Sequence, residues 1–277
     1  SYRENIPAFD MIRNSVTAVR GCPGGCSFCG LGMHQGKFVT SRSQSSVICE
    51  VRRLADDPEF KGTISDVGGP TANTYGNRKR EIAPCMSCRR PSCLFPEICG
   101  NYYPYEEDFI SLLRELERIG KVKHVFIGSG LRLDLAMMQR KLMRKIICDH
   151  VSGQLKVAPE HLDDNVLKLM RKNKASDFLK FLELFEEESR QAGKKQFVVP
   201  YFISNFPGCT EAEMRKVDDF LSSKSWTVQQ VQDFIPLPMT LASAMYWCGK
   251  APDGKTIHVN RGLGERRPQM KMLKRMR

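Results

Sequence analysis

Residues 20–30 read RGCPGGCSFCG, which sets Cys22, Cys26 and Cys29 in a C-x3-C-x2-C spacing among Gly21, Gly24, Gly25 and Gly30. Thiolates this dense, in a chain whose first residues carry no secretory pattern, point to metal rather than to disulfides. Three ligands are one too few for structural zinc, which closes four. They also fall short of the four-cysteine set of a ferredoxin cluster. A [4Fe–4S] cluster held by three thiolates leaves one iron open, and an open position is a defect in a structural site but a requirement in a reactive one. The glycines suit such a loop because they admit tight turns and remove side-chain bulk around a cluster.

A second set follows in CMSCRRPSCLFPEIC, where Cys85, Cys88, Cys93 and Cys99 are spaced C-x2-C-x4-C-x5-C. Four thiols in one short stretch suffice to close a tetrahedral shell. Pro84, Pro91 and Pro96 favour loop over helix, and Arg89 and Arg90 would lower thiol pKa values and offset a bound cluster's charge. Zinc, an auxiliary iron–sulfur cluster and free thiols all remain open here, with metal favoured. Of the eleven cysteines, Cys49 and Cys148 lie in apolar helical patterns and are expected in the core.

These loops need a scaffold. Apolar runs at residues 15–19, 63–67, 124–128, 154–158, 197–203 and 228–234 read as six strands. Helical patterns fall between them. Val47, Val51 and Leu54 mark one, and Phe109, Leu112, Leu113 and Leu116 mark another that Gly120 would end. Further helices are expected over 134–147, 166–170, from a Ser176 cap through Phe178, Phe181 and Phe185, and over 211–221. Strands followed by helices imply parallel pairing through right-handed crossovers, and so an α/β fold of partial (β/α)6-barrel type. The first cysteine loop follows strand one. The Cys-rich insertion, about 77–104, follows strand two, so both emerge at the carboxyl end of the sheet, where α/β sites lie. The expected organisation is a core over 1–249 and a basic extension over 250–277.

The formal net charge is +12. From residue 250 onward nine Lys or Arg face two acids, so seven of those excess charges sit in the tail. Such a tail fits RNA phosphates, or else a solvated or packed helix. Met270, Met272 and Met276 read as one face of that helix. No apolar run reaches the roughly 20 residues of a membrane span. The reduced-thiol reading places the chain in the cytoplasm, with no membrane partner.

The motif resembles the signature of the radical S-adenosylmethionine (SAM) superfamily. RGCPGGCSFC, SRSQSS, ISDVGGPTANTYG, SGLRLDL, KVAPEH, PYFISNFPG and IPLPM resemble its YgiQ-type group in particular, across nearly the whole chain. The resemblance implies that SAM chelates the open iron and is cleaved by one electron to methionine and a 5′-deoxyadenosyl radical. It implies an electron donor such as flavodoxin or ferredoxin and leaves the substrate unnamed. It places Phe28 near the adenine. It gives Gly68 and Gly69 the backbone role that meets the methionine amino group, with Pro70 standing where the family has Glu. It makes Glu160 and Arg171 candidates for the SAM ribose and carboxylate. Members usually carry a further N-terminal region, so a chain starting at Ser1 reads as a core fragment.

Other residues are less distinctive. Arg132 is expected to point toward the site. His124 reads as packing or surface, and His161 as a satisfied structural histidine or an acid–base residue. Cys209 reads as a buried thiol or a hydrogen-atom donor. The alternative to an enzyme is a zinc-bearing nucleic-acid-binding module with a basic tail.

Overall fold

The computed structural model describes residue 4 and residues 6–228 and 231–274. Helices and strands alternate much as the periodicity predicts. Strand β1 (Ser15–Thr17) leads, through the first cysteine loop, to α1 (Gln44–Asp56). Then come β2 (Thr63–Ile64), β3 (Asp66–Gly68), α2 (Glu107–Glu117) and β4 (His124–Val125). The chain continues with α3 (Leu133–Ala136), α4 (Arg140–Asp149), β5 (Gln154–Glu160), α5 (Asp164–Met170), α6 (Ala175–Gln191) and β6 (Phe197–Ser204). It closes with α7 (Glu211–Ser223), β7 (Val231–Asp233), α8 (Leu241–Cys248) and α9 (Leu263–Lys274).

Parallel ladders join β1 to β3, β2 to β4, and β5 to β6 to β7. Backbone bonds connect the groups: the Val67 amide donates to the Phe126 carbonyl (3.2 Å) and the Ile127 amide to the His150 carbonyl (3.0 Å). Within each ladder the strands run parallel, so their carboxyl ends lie at one edge. The helices lay apolar stripes on this sheet, with Val47, Val51 and Ala55 buried on α1 and Phe178, Phe181, Leu182 and Phe185 on α6. Ser43 caps α1 by accepting from the Ser46 amide (3.3 Å).

Several elements differ from their sequence pattern, each for a local reason. The first strand stops at Thr17, because Val19 and Arg20 turn to pair antiparallel with Thr40–Ser41. The helix expected over 134–147 breaks between Ala136 and Arg140. At the break the buried Gln139 side chain donates to Asn73 O (3.0 Å) and Asn77 Oδ1 (3.1 Å) and accepts from Asn73 Nδ2 (3.1 Å). Its backbone there is non-helical (φ −109°, ψ 58°). Helix α6 starts at Ala175 rather than from a Ser176 cap, since Asp164 Oδ1 takes the Ala175 amide (2.9 Å). Helix α2 ends before Gly120 is reached. The Cys-rich segment is closed at its base by Arg78–Lys79 pairing with Tyr102–Tyr103, and despite Pro84 it contains one helical turn, Ala83–Met86.

Two expected core cysteines are not core. Cys49 is exposed and Cys148 half-buried. Helix α1 packs through positions 47, 51 and 55, and a residue two places from Val47 is rotated about 200° away from it. Helix α4 buries Leu142, Met143, Ile146 and Ile147, which leaves Cys148 on the stripe's margin. In the C-terminal segment, Leu273 and Gln269 of α9 are buried. Arg266 holds Asp233 at 2.7 Å, so α9 packs against β7 and β6. Met270 and Met272 are half-buried, and Met276 lies outside the described residues, as do residues 229 and 230 of the sixth expected strand. Among the described residues no helix is long and apolar enough to cross a membrane.

Helix α5, which leads into the site, depends on one carboxylate. Asp163 is 3% exposed. It accepts from the Asn165 (2.9 Å) and Val166 (3.1 Å) amides and pairs with Lys216 at 2.5 Å. Its pKa lies below the usual carboxylate range: burial opposes ionisation, but Lys216 and the capping amides outweigh it. Asp163→Ala is expected to lose about 1–2 kcal/mol in urea unfolding at pH 7, whereas Asp163→Asn keeps the cap and loses less. Because the folded pKa is depressed, the ionic contribution is complete above roughly pH 4 and is lost as pH falls through the lowered value. The stability gap between wild type and Asp163→Asn should therefore hold from neutrality to about pH 4 and shrink below it; a gap that stays constant below pH 4 contradicts the assignment.

Candidate active site

Gly21 and Gly25 give the first cysteine loop its shape. Both adopt positive φ (81° and 57°). A Cβ on Gly21 would lie 2.0 Å from the Phe38 carbonyl oxygen, and one on Gly25 would lie 2.3 Å from the Pro91 carbonyl oxygen. Only glycine fits either place. The loop is anchored from below by Ser27, whose amide donates to Met170 O (2.9 Å) and whose hydroxyl donates to Leu169 O (2.7 Å). The three cysteines are half-buried.

Arg132 is the group that most directly addresses them. It is 5% exposed, its Nη1 lies 3.4 Å from Cys26 Sγ, and its other face pairs with Asp134. Asn73 fixes the Arg132 backbone, accepting from its amide at Oδ1 (2.9 Å) and donating from Nδ2 to its carbonyl (3.0 Å). Burial works against the guanidinium's charge, but Asp134 and the thiols more than offset this and hold its pKa above the usual value. A glycine is required opposite it, since a Cβ on Gly24 would sit 3.1 Å from Arg132 Nη1.

Glu160 and Lys172 complete the polar wall. Lys172 Nζ donates to Ala158 O (2.7 Å) and lies 3.8 Å from Glu160 Oε1. Burial raises the Glu160 pKa, with Lys172 and Arg132 pulling the other way. Both cations also act on Cys26: burial pushes this thiol up, and Arg132 and Lys172 draw it down. Burial likewise raises Cys29, against a hydrogen bond from the Leu31 amide. Cys22 Sγ has Thr71 Oγ1 at 3.9 Å.

The expected site residues divide. Cys22, Cys26, Cys29, Arg132 and Glu160 converge. Phe28 packs edge-on against Phe206 (6.3 Å) at the side of the loop. Arg171 does not join the polar wall. It caps α5 in the left-handed conformation (φ 54°), and it lines a surface cleft with Phe95, Lys168 and Leu241. That cap turns the chain, with the Lys172 amide donating to Leu167 O (2.9 Å), and so delivers Lys172 to the site in its place. Lys172, Asp134, Thr71 and Asn73 were missed in the sequence reading. The only sequence signal for Lys172 is its place one step beyond the helix's apolar period.

His161 and Cys209 form a buried pair beside this wall. The Asp163 amide donates to His161 Nδ1 (2.9 Å), which leaves Nε2 as the protonated nitrogen, 3.4 Å from Cys209 Sγ. Burial holds His161 at about 4 and pushes Cys209 up, so both are neutral. His161 is thus a satisfied structural histidine. His124 is exposed and stacks on Phe126.

Gly68 and Gly69 owe their identity first to packing. A Cβ on Gly69 would lie 2.1 Å from the Val19 carbonyl oxygen, and one on Gly68 would lie 2.6 Å from Ser129 Oγ. Ser129 in turn bonds Asp66 and accepts from the Gly69 amide (3.3 Å). Gly69→Ala is expected to cost about 1–3 kcal/mol, because its obstacle is backbone. Gly68→Ala should be rescued in large part by Ser129→Gly, which removes its obstacle. Thermal unfolding of the three variants tests this, and equal stability of Gly69→Ala and wild type would contradict it.

The arrangement is three thiols on a glycine-rich loop, buried cations against them, and a position at the carboxyl edge of parallel strands. A family profile described as the Radical SAM superfamily matches residues 16–221. The chain belongs to the radical SAM superfamily. Within the superfamily it is YgiQ-like. It is 45% identical over 270 residues to a UPF0313 protein of Methanocella arvoryzae, covering 96% of this chain and 45% of that protein. It is 46% identical over 274 residues to one of Geobacter sulfurreducens, covering 99% and 45%. The chain thus spans less than half the length of these relatives. Its fold is similar to that of the radical SAM methyltransferase TsrM from Kitasatospora setae, solved with cobalamin and a [4Fe–4S] cluster bound. The TM-score is 0.54 at 16% identity, covering 86% of this chain and 41% of that one.

Proposed function

We propose that this chain cleaves SAM reductively at a [4Fe–4S] cluster held by Cys22, Cys26 and Cys29, within a partial (β/α)6 barrel. The observation that carries this reading is the Arg132 guanidinium, buried and 3.4 Å from Cys26 Sγ. Buried positive charge beside three thiols, of which burial makes Cys26 and Cys29 resist ionisation alone, fits a site made to hold an anionic metal–thiolate centre. The Leu31 amide on Cys29 and the Lys172 ammonium serve the same end. When bound, the cluster supplies the electron that splits SAM into methionine and a 5′-deoxyadenosyl radical.

The protein's own part is placement. Asn73 fixes the Arg132 backbone and Asp134 holds its guanidinium, so it meets Cys26 without reorganising. Glu160, at the end of β5 in a left-handed conformation (φ 69°), presents a buried carboxyl suited to hydroxyl or amino groups of a ligand. Gly68, which ends β3, and Gly69 after it let the backbone approach closely. A flavodoxin- or ferredoxin-type donor fits as the source of electrons. The test is anaerobic reconstitution with iron and sulfide, followed by SAM and dithionite. The expected products are methionine and 5′-deoxyadenosine; a brown, iron-loaded protein that leaves SAM intact would overturn the reading.

A further inference from the structure

The second cysteine set is built onto the first. The Cys93 amide donates to Pro23 O (2.8 Å), and Ser92 Oγ donates to Gly24 O (2.7 Å). Both acceptors lie between Cys22 and Cys26. Gly25 must be glycine because the Pro91 carbonyl of the second loop occupies the place of its Cβ. From the other side, Lys37, which follows the first loop, donates to Cys88 O (2.5 Å) and Arg90 O (3.0 Å). The two cysteine loops are therefore one packed unit.

The interior of the second loop is suited to a buried anionic centre. Leu94, Tyr102 and Leu135 form a small apolar cluster against which Cys93, Cys99 and Ile98 pack. Leu135 directly follows Asp134, the partner of Arg132. All four thiols are free and half-buried. Two carry hydrogen bonds on sulfur: Asn101 Nδ2 lies 3.1 Å from Cys85 Sγ, and the Arg90 amide donates to Cys88. Lys37 and Lys79 lie close enough to act on Cys93 as compensating cations.

Sulfur spacing separates the metals. Zinc–sulfur bonds of about 2.3 Å in a tetrahedron hold the sulfurs roughly 3.8 Å apart. Among the described residues, the metal-capable trio whose ligand atoms all lie within 4.8 Å is Glu117, Asp149 and His150. Lys145 already stands 2.6 Å from Glu117 and 3.0 Å from Asp149 there, and no three cysteine sulfurs among the described residues lie that close to one another. The four thiols of the second loop are thus spread more widely than the edges of a zinc tetrahedron. A cubane sets an iron at each ligand and so spreads its thiolates further apart.

We propose that Cys85, Cys88, Cys93 and Cys99 hold a second iron–sulfur cluster, docked on the loop that carries the first. Each thiol gives up its proton on binding, and an iron–sulfur bond takes its place. The cluster is assembled from two ferric ions, two ferrous ions and four sulfides, which sum to a [4Fe–4S]2+ core with no net electron transfer.

The first measurement uses the unaltered chain. After anaerobic reconstitution and gel filtration it is expected to carry about twice the iron and acid-labile sulfide of one cubane. A single cubane's worth, or zinc in place of the second half, overturns the proposal. The second measurement uses the triple variant Cys22→Ala, Cys26→Ala, Cys29→Ala, which removes the SAM-cleaving reading from the question. It should retain about half of the wild-type iron and sulfide, together with visible sulfide-to-iron charge-transfer absorption. Metal-free triple variant alongside single-cubane wild type places all the iron at the first loop and sinks the second site alone. Iron retained in full by Cys88→Ala/Cys93→Ala would do the same.

Discussion

Cys26→Ala is expected to abolish 5′-deoxyadenosine formation, and Cys22→Ala and Cys29→Ala to do the same. Each thiol would serve its own iron, and nothing nearby replaces it. The hydroxyl beside Cys22 Sγ is that of Thr71, at 3.9 Å, and it is a poor iron ligand. The thiols of the second loop are fixed by their own backbone bonds, as in Cys93 to Pro23 and Cys99 to Cys93 (2.7 Å). Cys26→Ala also removes the sulfur on which Arg132 and Lys172 both act. The assay is product formation after reconstitution with dithionite. Wild-type yield from any of the three variants would remove these cysteines from the site.

The second large effect is expected at Arg132. Its side chain and that of Asp134 are 6% and 9% exposed, so the ion pair is largely withdrawn from water. Arg132→Met leaves the Asp134 carboxylate buried and unpaired, at about 3–5 kcal/mol in denaturant unfolding of the metal-free chain. The double variant Arg132→Met/Asp134→Leu removes both charges, and most of that stability should return. Cluster chemistry should not return with it. Loss of a cation and a hydrogen bond from Cys26 Sγ disfavours the reduced, more negative cluster, so the midpoint potential falls and SAM cleavage slows. Unfolding curves and an EPR-monitored redox titration of the same two variants separate the roles. If the double variant regains both stability and potential, Arg132 is a structural residue alone.

Much of this was legible in the sequence because it is local. The C-x3-C-x2-C run, the glycines between its thiols and the four cysteines after strand two are contiguous, and thiolate chemistry follows from residue type and spacing. Apolar residues repeating every three to four positions foretold α1, α2 and α6, since a helix that packs on a sheet must carry such a stripe. The alternation of strands and helices foretold parallel pairing, because a parallel strand is reached through a crossover.

Tertiary structure decided what depends on residues far apart in the chain. Cys26 and Arg132 are 106 positions apart, and no pattern around either announces the contact. Glu160 belongs to the site because β5 runs two residues past its apolar core. Lys172 belongs because the left-handed cap at Arg171 turns the chain inward, so the neighbour of the expected residue arrives instead. The break in the helix at Gln139 follows from amide bonds to Asn73 and Asn77 across the fold, which outcompete one helical turn. Local spacing fixes which groups can do chemistry and which face a helix buries. Which buried charge meets which thiol is fixed only when crossovers bring the strand ends together, because desolvated charges must find partners that local sequence does not supply.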